Sequence, residues 1–190
     1  MSGPLTDTQQ RTLLDLARTQ VEMLIRSGKL LRVPKDDPRL DDALRAHGAA
    51  FVTLRKGGML RGCIGSVLPH EPLYENIVHN AVQACRDPRF EGFRIQPDEL
   101  GQVEIEISVL GPPTPVRGPD DVQVGRDGVI LTLGGHRGLF LPQVPVEQGW
   151  DRQTYLQQLG RKAGLDTDAY KDPRAILETF TAHVFGESRP

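Results

Sequence analysis

Cysteine is scarce in this 190-residue chain, which has only Cys63 and Cys85. That excludes a scaffold stapled by disulfides, and in a reducing compartment both residues are expected to be free thiols. Excess charge of either sign is also absent, since 23 Lys and Arg face 25 Asp and Glu for a formal net charge of −2. Binders of duplex DNA draw most of their affinity from neutralising phosphates, so this balance gives nucleic-acid binding little support. Long apolar runs are missing too. Stretches such as Ala49-Ala50-Phe51-Val52 fall far short of the roughly 20 residues that a membrane span needs. Met1 to Asp7 shows no basic region leading into an apolar one, so no secretory signal is expected and the cytoplasm is the expected location. What is present is a globular composition, 38% hydrophobic and 25% charged, in a chain long enough to bury one continuous core. Twenty glycines and 15 prolines imply many turns.

Periodicity predicts a helix from a cap at Asp7 to Gly28, with Leu13, Leu14, Ala17, Val21, Leu24 and Ile25 on its apolar side. Pro34 to Leu40 reads as a surface loop. Ala49 to Arg55 and Met59 to Ser66 read as strands of a hairpin turning at Lys56-Gly57-Gly58. A second helix is expected from Pro72 to Arg86, with Cys85 on its apolar face. Val103, Ile105, Ile107 and Val109 alternate with Glu104, Glu106 and Ser108, the signature of a strand with one polar face. Further on, Val129 to Leu133 and Leu139 to Leu141 predict two strands around a turn at Gly134 to Gly138. Asp151 predicts a capped helix, a short helix is expected from Pro173, and the tail Phe180 to Phe185 suggests a last strand. Strands and helices do not alternate regularly, and the fold class expected is α+β, an antiparallel sheet flanked by helices.

The segment Leu60-Arg61-Gly62-Cys63-Ile64-Gly65-Ser66 is the most unusual. Strand alternation puts Leu60 and Ile64 on one side and Arg61 and Cys63 on the other. A guanidinium beside the thiol would stabilise thiolate, the nucleophilic form. Gly62 and Gly65 would let a ligand or another backbone come close. The competing account is a buried cysteine among packing glycines. Cys85, on an apolar helical stripe, is read as packing. Glu104, Glu106 and Ser108 share a face, and Glu106 could pair with Arg61 if their strands are neighbours, although such acids more often form the solvated face of an antiparallel sheet. His79 could approach Cys63 as a Cys–His couple or be an exposed histidine without a partner. The five histidines have no metal-site spacing, so no metal is assigned, and no cofactor fingerprint is present. Arg86-Asp87-Pro88-Arg89-Phe90 reads as helix termination. Gln143 and Glu147 lie on an expected loop where they could face a ligand.

Leu60 to Ser66, Arg86 to Phe90, Ile105 to Leu110, Gly138 to Val144 and Lys162-Ala163-Gly164-Leu165 together resemble the signature segments of the AMMECR-one domain family, whose prokaryotic members are also called AmmeMemoRadiSam system protein A. The resemblance spans roughly residues 8–186, read as a single two-lobed domain with flexible ends at 1–7 and 187–190. It implies a larger and a smaller lobe with a cleft between them and the glycine-cysteine motif near the cleft. It names no reaction, but it implies a pathway shared with a Memo-like protein and a radical SAM protein, acting on a small molecule or a macromolecule. One departure is Gly160, where many relatives carry a cysteine. The expectation is an enzyme or enzyme component with Cys63, Arg61 and Glu106 as catalytic candidates and Gly62, Gly65, Ser108, Gln143 and His79 as substrate-binding candidates. The alternative is a non-catalytic module that binds a ligand or those partners.

Overall fold

The computed structural model describes residues 5–187, and these form two compact units. The first contains the chain up to Leu110 together with the stretch from His183 onward, and the second runs from Gly111 to Ala182. Helices and antiparallel sheets make the fold α+β. The ends expected to be flexible, 1–7 and 187–190, fall partly outside the described residues. Within them Leu5 is buried, Thr6 caps the first helix and Glu187 pairs with Arg18.

In the first unit, α1 (Asp7–Ser27) starts one residue later than its cap. Thr6, not Asp7, is that cap, because its hydroxyl accepts from the Gln9 N–H while the Gln9 side chain accepts from the Thr6 N–H. Gly28 ends the helix in the left-handed conformation, φ 67°. A single turn, α2 (Asp42–Arg45), leads into β1 (His47–Lys56), which forms the expected hairpin with β2 (Met59–Gly65). Gly57 and Gly58 turn it with φ 55° and 77°, which only glycine adopts cheaply. The short β3 (Glu71–Pro72) pairs with the start of β1 and runs into α3 (Leu73–Cys85). The strand β4 (Val103–Leu110) lies on the other side of β1, and β9 (Ala182–Gly186) completes the order β2-β1-β4-β9, leaving β2 at an edge. Ala50, Val52, Leu54, Ile105, Ile107 and Val109 point to one face, where they form a single core with residues of α1 and α3.

In the second unit the strand order is β5-β8-β6-β7, with β5 (Thr114–Pro115), β6 (Gly128–Leu133), β7 (His136–Phe140) and β8 (Ile176–Phe180). The turn between β6 and β7 is only Gly134-Gly135, φ 56° and 84°, rather than Gly134 to Gly138. His136 and Arg137 already pair as strand, and Gly138 pairs with Leu131 and is glycine for a packing reason, since a Cβ there would come within 2.9 Å of the Ala163 backbone. After α4 (Gln143–Glu147), Asp151 caps α5 (Arg152–Lys162) as expected by accepting from the Thr154 N–H. Tyr155 of α5 is fully buried and donates to the carbonyls of Asp127 and Phe140 at 3.2 and 3.3 Å. The helix expected from Pro173 is absent. Asp172 instead closes a local turn with Arg174, and the chain enters β8 at Ile176.

Candidate functional site

Register across three strands defines the site. Thr53 of β1 stands opposite Cys63 of β2 on one side and Glu106 of β4 on the other. The three side chains therefore form one row on the sheet face away from α3, with Thr53 in the middle. The Thr53 hydroxyl donates to the Cys63 sulfur at 3.4 Å. Thr53 is buried, while Cys63 and Glu106 are partly so. The next row on that face is Gly65, Phe51 and Ser108, with Ser108 fully buried. The expected polar face exists, and it is solvated at one end only, with Glu104 exposed, Glu106 half-buried and Ser108 buried. Cys63 and Glu106 share a row without being nearest neighbours, since two strand spacings, roughly 10 Å, separate their backbones.

The backbone of Cys63 is gripped from the open edge of the sheet. Its N–H donates to Asp87 Oδ2 at 3.0 Å, and its carbonyl accepts from Arg89 Nη2 at 2.9 Å. Asp87 and Arg89 are themselves joined twice, by Nε to Oδ1 at 3.0 Å and Nη2 to Oδ2 at 2.6 Å. Asp87 is 2% exposed. Burial pushes its carboxyl up, but the Arg89 side chain and the N–H groups of Cys63 and Arg89 outweigh burial and hold it below the ordinary carboxylate value. The stretch Arg86 to Phe90 therefore does more than end α3. It closes around the cysteine, a role that terminator residues in a sequence do not announce.

Arg61 was expected beside the thiol and near Glu106, and it is engaged elsewhere. Leu60 pairs with Arg55 and Gly62 with Leu54, so Arg61 is the extra residue of a β-bulge. The bulge breaks the alternation on which that expectation rested. Leu60 joins the Cys63 side, and the Arg61 guanidinium donates to the Phe93 carbonyl at 2.9 Å and lies 3.7 Å from the Glu99 carboxylate. Glu106 faces Thr53 in the register, not Arg61. The Cys–His couple is not formed either. His79 is 64% exposed on α3 and bonds Glu71 at 2.7 Å, and α3 packs on the sheet face opposite Cys63.

The two glycines admit the protein's own atoms. A Cβ on Gly62 would lie 2.1 Å from the Ala84 carbonyl oxygen, and one on Gly65 would lie 2.3 Å from the Phe51 ring. Gln143 begins the short helix α4 of the second unit, where a loop was expected. Gly160 has a packing reason to be small, because a Cβ there would meet the Asp166 carbonyl at 2.5 Å. Cys85 packs against the core, and burial pushes its thiol up to about 12 against a weaker opposing effect of Arg86. Among the described residues no group of three or more His, Cys, Asp or Glu is placed to hold a metal ion, and no helix is long and apolar enough to cross a membrane.

The tripeptide Asp-Pro-Arg occurs three times, at 37–39, 87–89 and 172–174, and folds the same way each time. The arginine N–H and Nε bond one carboxylate oxygen while Nη2 bonds the other, with distances of 2.9, 3.1 and 2.7 Å at Asp37 and 2.8, 3.1 and 2.8 Å at Asp172. Proline cannot donate and favours the turn, so the two flanking side chains meet across it. Only the middle clasp also holds Cys63.

Comparison with known proteins agrees with the motif resemblance. The AMMECR1 family profile matches residues 14–185. The chain belongs to the AMMECR1 family. A protein of Methanothermobacter thermautotrophicus is 42% identical over 97% of this chain and 97% of its own length. One from Thermococcus gammatolerans is 42% identical over 94% and 90%. Among solved structures, that of the uncharacterized protein PH0010 from Pyrococcus horikoshii superposes with a TM-score of 0.89 at 37% identity, covering 98% of this chain and 95% of that one.

Proposed function

We propose that this AMMECR1 domain is a small enzyme or enzyme component whose working group is the Cys63 thiol, acting as nucleophile or redox thiol. The observation that carries the proposal is the row Cys63, Thr53 and Glu106, with the Thr53 hydroxyl 3.4 Å from sulfur and both backbone groups of Cys63 held by Asp87 and Arg89. A partly exposed thiol fixed on a strand, with a hydroxyl donor and a carboxylate in line, suits attack on an electrophile followed by proton exchange. In this reading Thr53 stabilises developing charge on sulfur and Glu106 exchanges protons, while Arg61 is a structural residue of the bulge. Two free thiols fit a reducing cytoplasm. Family membership supports a pathway with a Memo-like protein and a radical SAM protein.

Untargeted metabolite profiling of cells tests it. Cells lacking the protein and cells carrying Cys63→Ala should accumulate the same intermediate, whereas Cys85→Ala should match wild type. A Cys63→Ala strain indistinguishable from wild type would defeat the proposal. The binding-module alternative loses the support it drew from Gly62 and Gly65, because the space beside both is taken by the chain itself. It would gain if Cys63→Ser kept full function while the partners still bound.

A further inference from the structure

Arg89 has more donors than its clasp uses. Its Nε and Nη2 are committed to Asp87 and to the Cys63 carbonyl, which fixes the plane of the guanidinium. Nη1 has no partner among the described residues, although the side chain is 55% exposed. The Phe90 ring lies 5.4 Å from the guanidinium carbon and supports it from one side. An arginine held this way has already lost the rotamer freedom that anion binding normally costs, and its unused N–H groups suit an oxyanion. Arg61, by contrast, is spent on Phe93 and Glu99. The side-chain hydrogen bond of Asp87 chiefly, against the opposing effect of burial and together with the Asp87 charge, holds Arg89 above its ordinary value. Geometry ties Arg89 to the residue that carries the thiol, since Nη2 donates to the Cys63 carbonyl at 2.9 Å.

We infer that the ligand served by Cys63 carries an oxyanion, a carboxylate or a phosphate, and that the free edge of Arg89 receives it. This rests on Cys63 being the working thiol and adds the substrate class. Arg89 then selects anionic electrophiles and orients them at the sulfur, while the buried carboxylate of Asp87 keeps the fork aimed.

The test compares alkylation of Cys63 by iodoacetate, which carries a carboxylate, with alkylation by neutral iodoacetamide. Taking the ratio removes the common factor of thiol ionisation. Relative to the same chain unfolded in urea, native wild type should favour iodoacetate about five-fold, a typical gain for one charge-assisted contact. Arg89→Gln should abolish the preference, Arg89→Lys should keep part of it, and 0.5 M salt should reduce it in wild type without any mutation. A ratio in native wild type equal to that of the unfolded chain, or one untouched by Arg89→Gln, would overturn the inference. Should neither reagent modify native Cys63, the thiol proposal itself fails. The anion site is then decided separately by NMR, following the Arg89 Nε signal during titration with sodium acetate and with inorganic phosphate. A saturable shift supports the site and shows which oxyanion it prefers, and no shift with either overturns it.

Discussion

The three Asp-Pro-Arg clasps share one internal geometry and differ in what surrounds them. At 37–39 and 172–174 the carboxylate closes only on the arginine of its own triplet, with Asp37 buried and Asp172 partly exposed. At 87–89 the carboxylate is buried as well, but the pair reaches out to both backbone groups of a cysteine on an edge strand. The same three residues therefore serve as a local turn lock in two places and as a fixture for a reactive group in the third. Local sequence sets the clasp, and the strand brought beside it sets what the clasp does.

The largest expected effect comes from forcing the middle clasp away from its strand. In Gly62→Ala the new methyl would sit on the Ala84 carbonyl, at the end of the helix that leads into Asp87, and should cost about 3 kcal/mol in urea unfolding. Next comes Asp87→Asn, which removes the charge from a buried acceptor of Cys63 and Arg89 and should cost about 2 kcal/mol. Asp37→Asn and Asp172→Asn should cost less than Asp87→Asn, because each carboxylate holds only the arginine of its own triplet and no neighbouring strand. Equal losses in all three variants would show that the clasps are energetically alike.

Acid titration sharpens the contrast. Arg39 and Arg174 side-chain hydrogen bonds chiefly hold Asp37 and Asp172 at about 2, against an ordinary 3.8, and Asp87 is also lowered. A carboxyl depressed in the folded state stabilises the fold fully above its unfolded value and stops doing so as pH falls through the folded one. Stability should therefore be indifferent to these groups from pH 7 to 5 and should fall below about 4. Asp37→Asn and Asp172→Asn should each show a flatter acid limb than wild type, and Asp87→Asn should do so together with a loss of stability already present at pH 7, as followed by circular dichroism. The smallest effect is local. Arg89→Lys, which keeps charge but lacks the two-pronged fork, should speed hydrogen exchange of the Cys63 amide about three-fold, while Arg39→Lys and Arg174→Lys leave that amide unchanged.

Much of the first unit was legible because its signals are local. Gly57-Gly58 between two apolar runs specifies a two-residue hairpin turn, and the strict alternation from Val103 to Val109 specifies a strand with one polar side. The helix from Leu73 to Cys85 follows from its apolar spacing. The site was legible only in part. Cys63 and Glu106 could be placed on a face, but their shared row depends on β1 lying between them, a long-range fact. Thr53 went unnoticed because a threonine in a strand is ordinary until register sets it beside a sulfur. Arg61 was misassigned because one inserted residue in a strand reverses every side chain beyond it, and a bulge leaves no mark in hydrophobic periodicity. The Asp-Pro-Arg triplets were in plain view, yet a carboxylate closing on an arginine two residues away has no periodic signature.

The grip on Cys63 also bears on how the molecule meets copies of itself. A strand at the margin of a sheet presents unsatisfied N–H and C=O groups to any extended chain that drifts past, and that is how sheets grow into fibres. On β2 the pair belonging to Cys63 is already taken by two side chains from the same molecule. An incoming strand would have to expel a buried carboxylate before making its first bond at Cys63, so the margin is blocked at that residue by the same grip that holds the thiol.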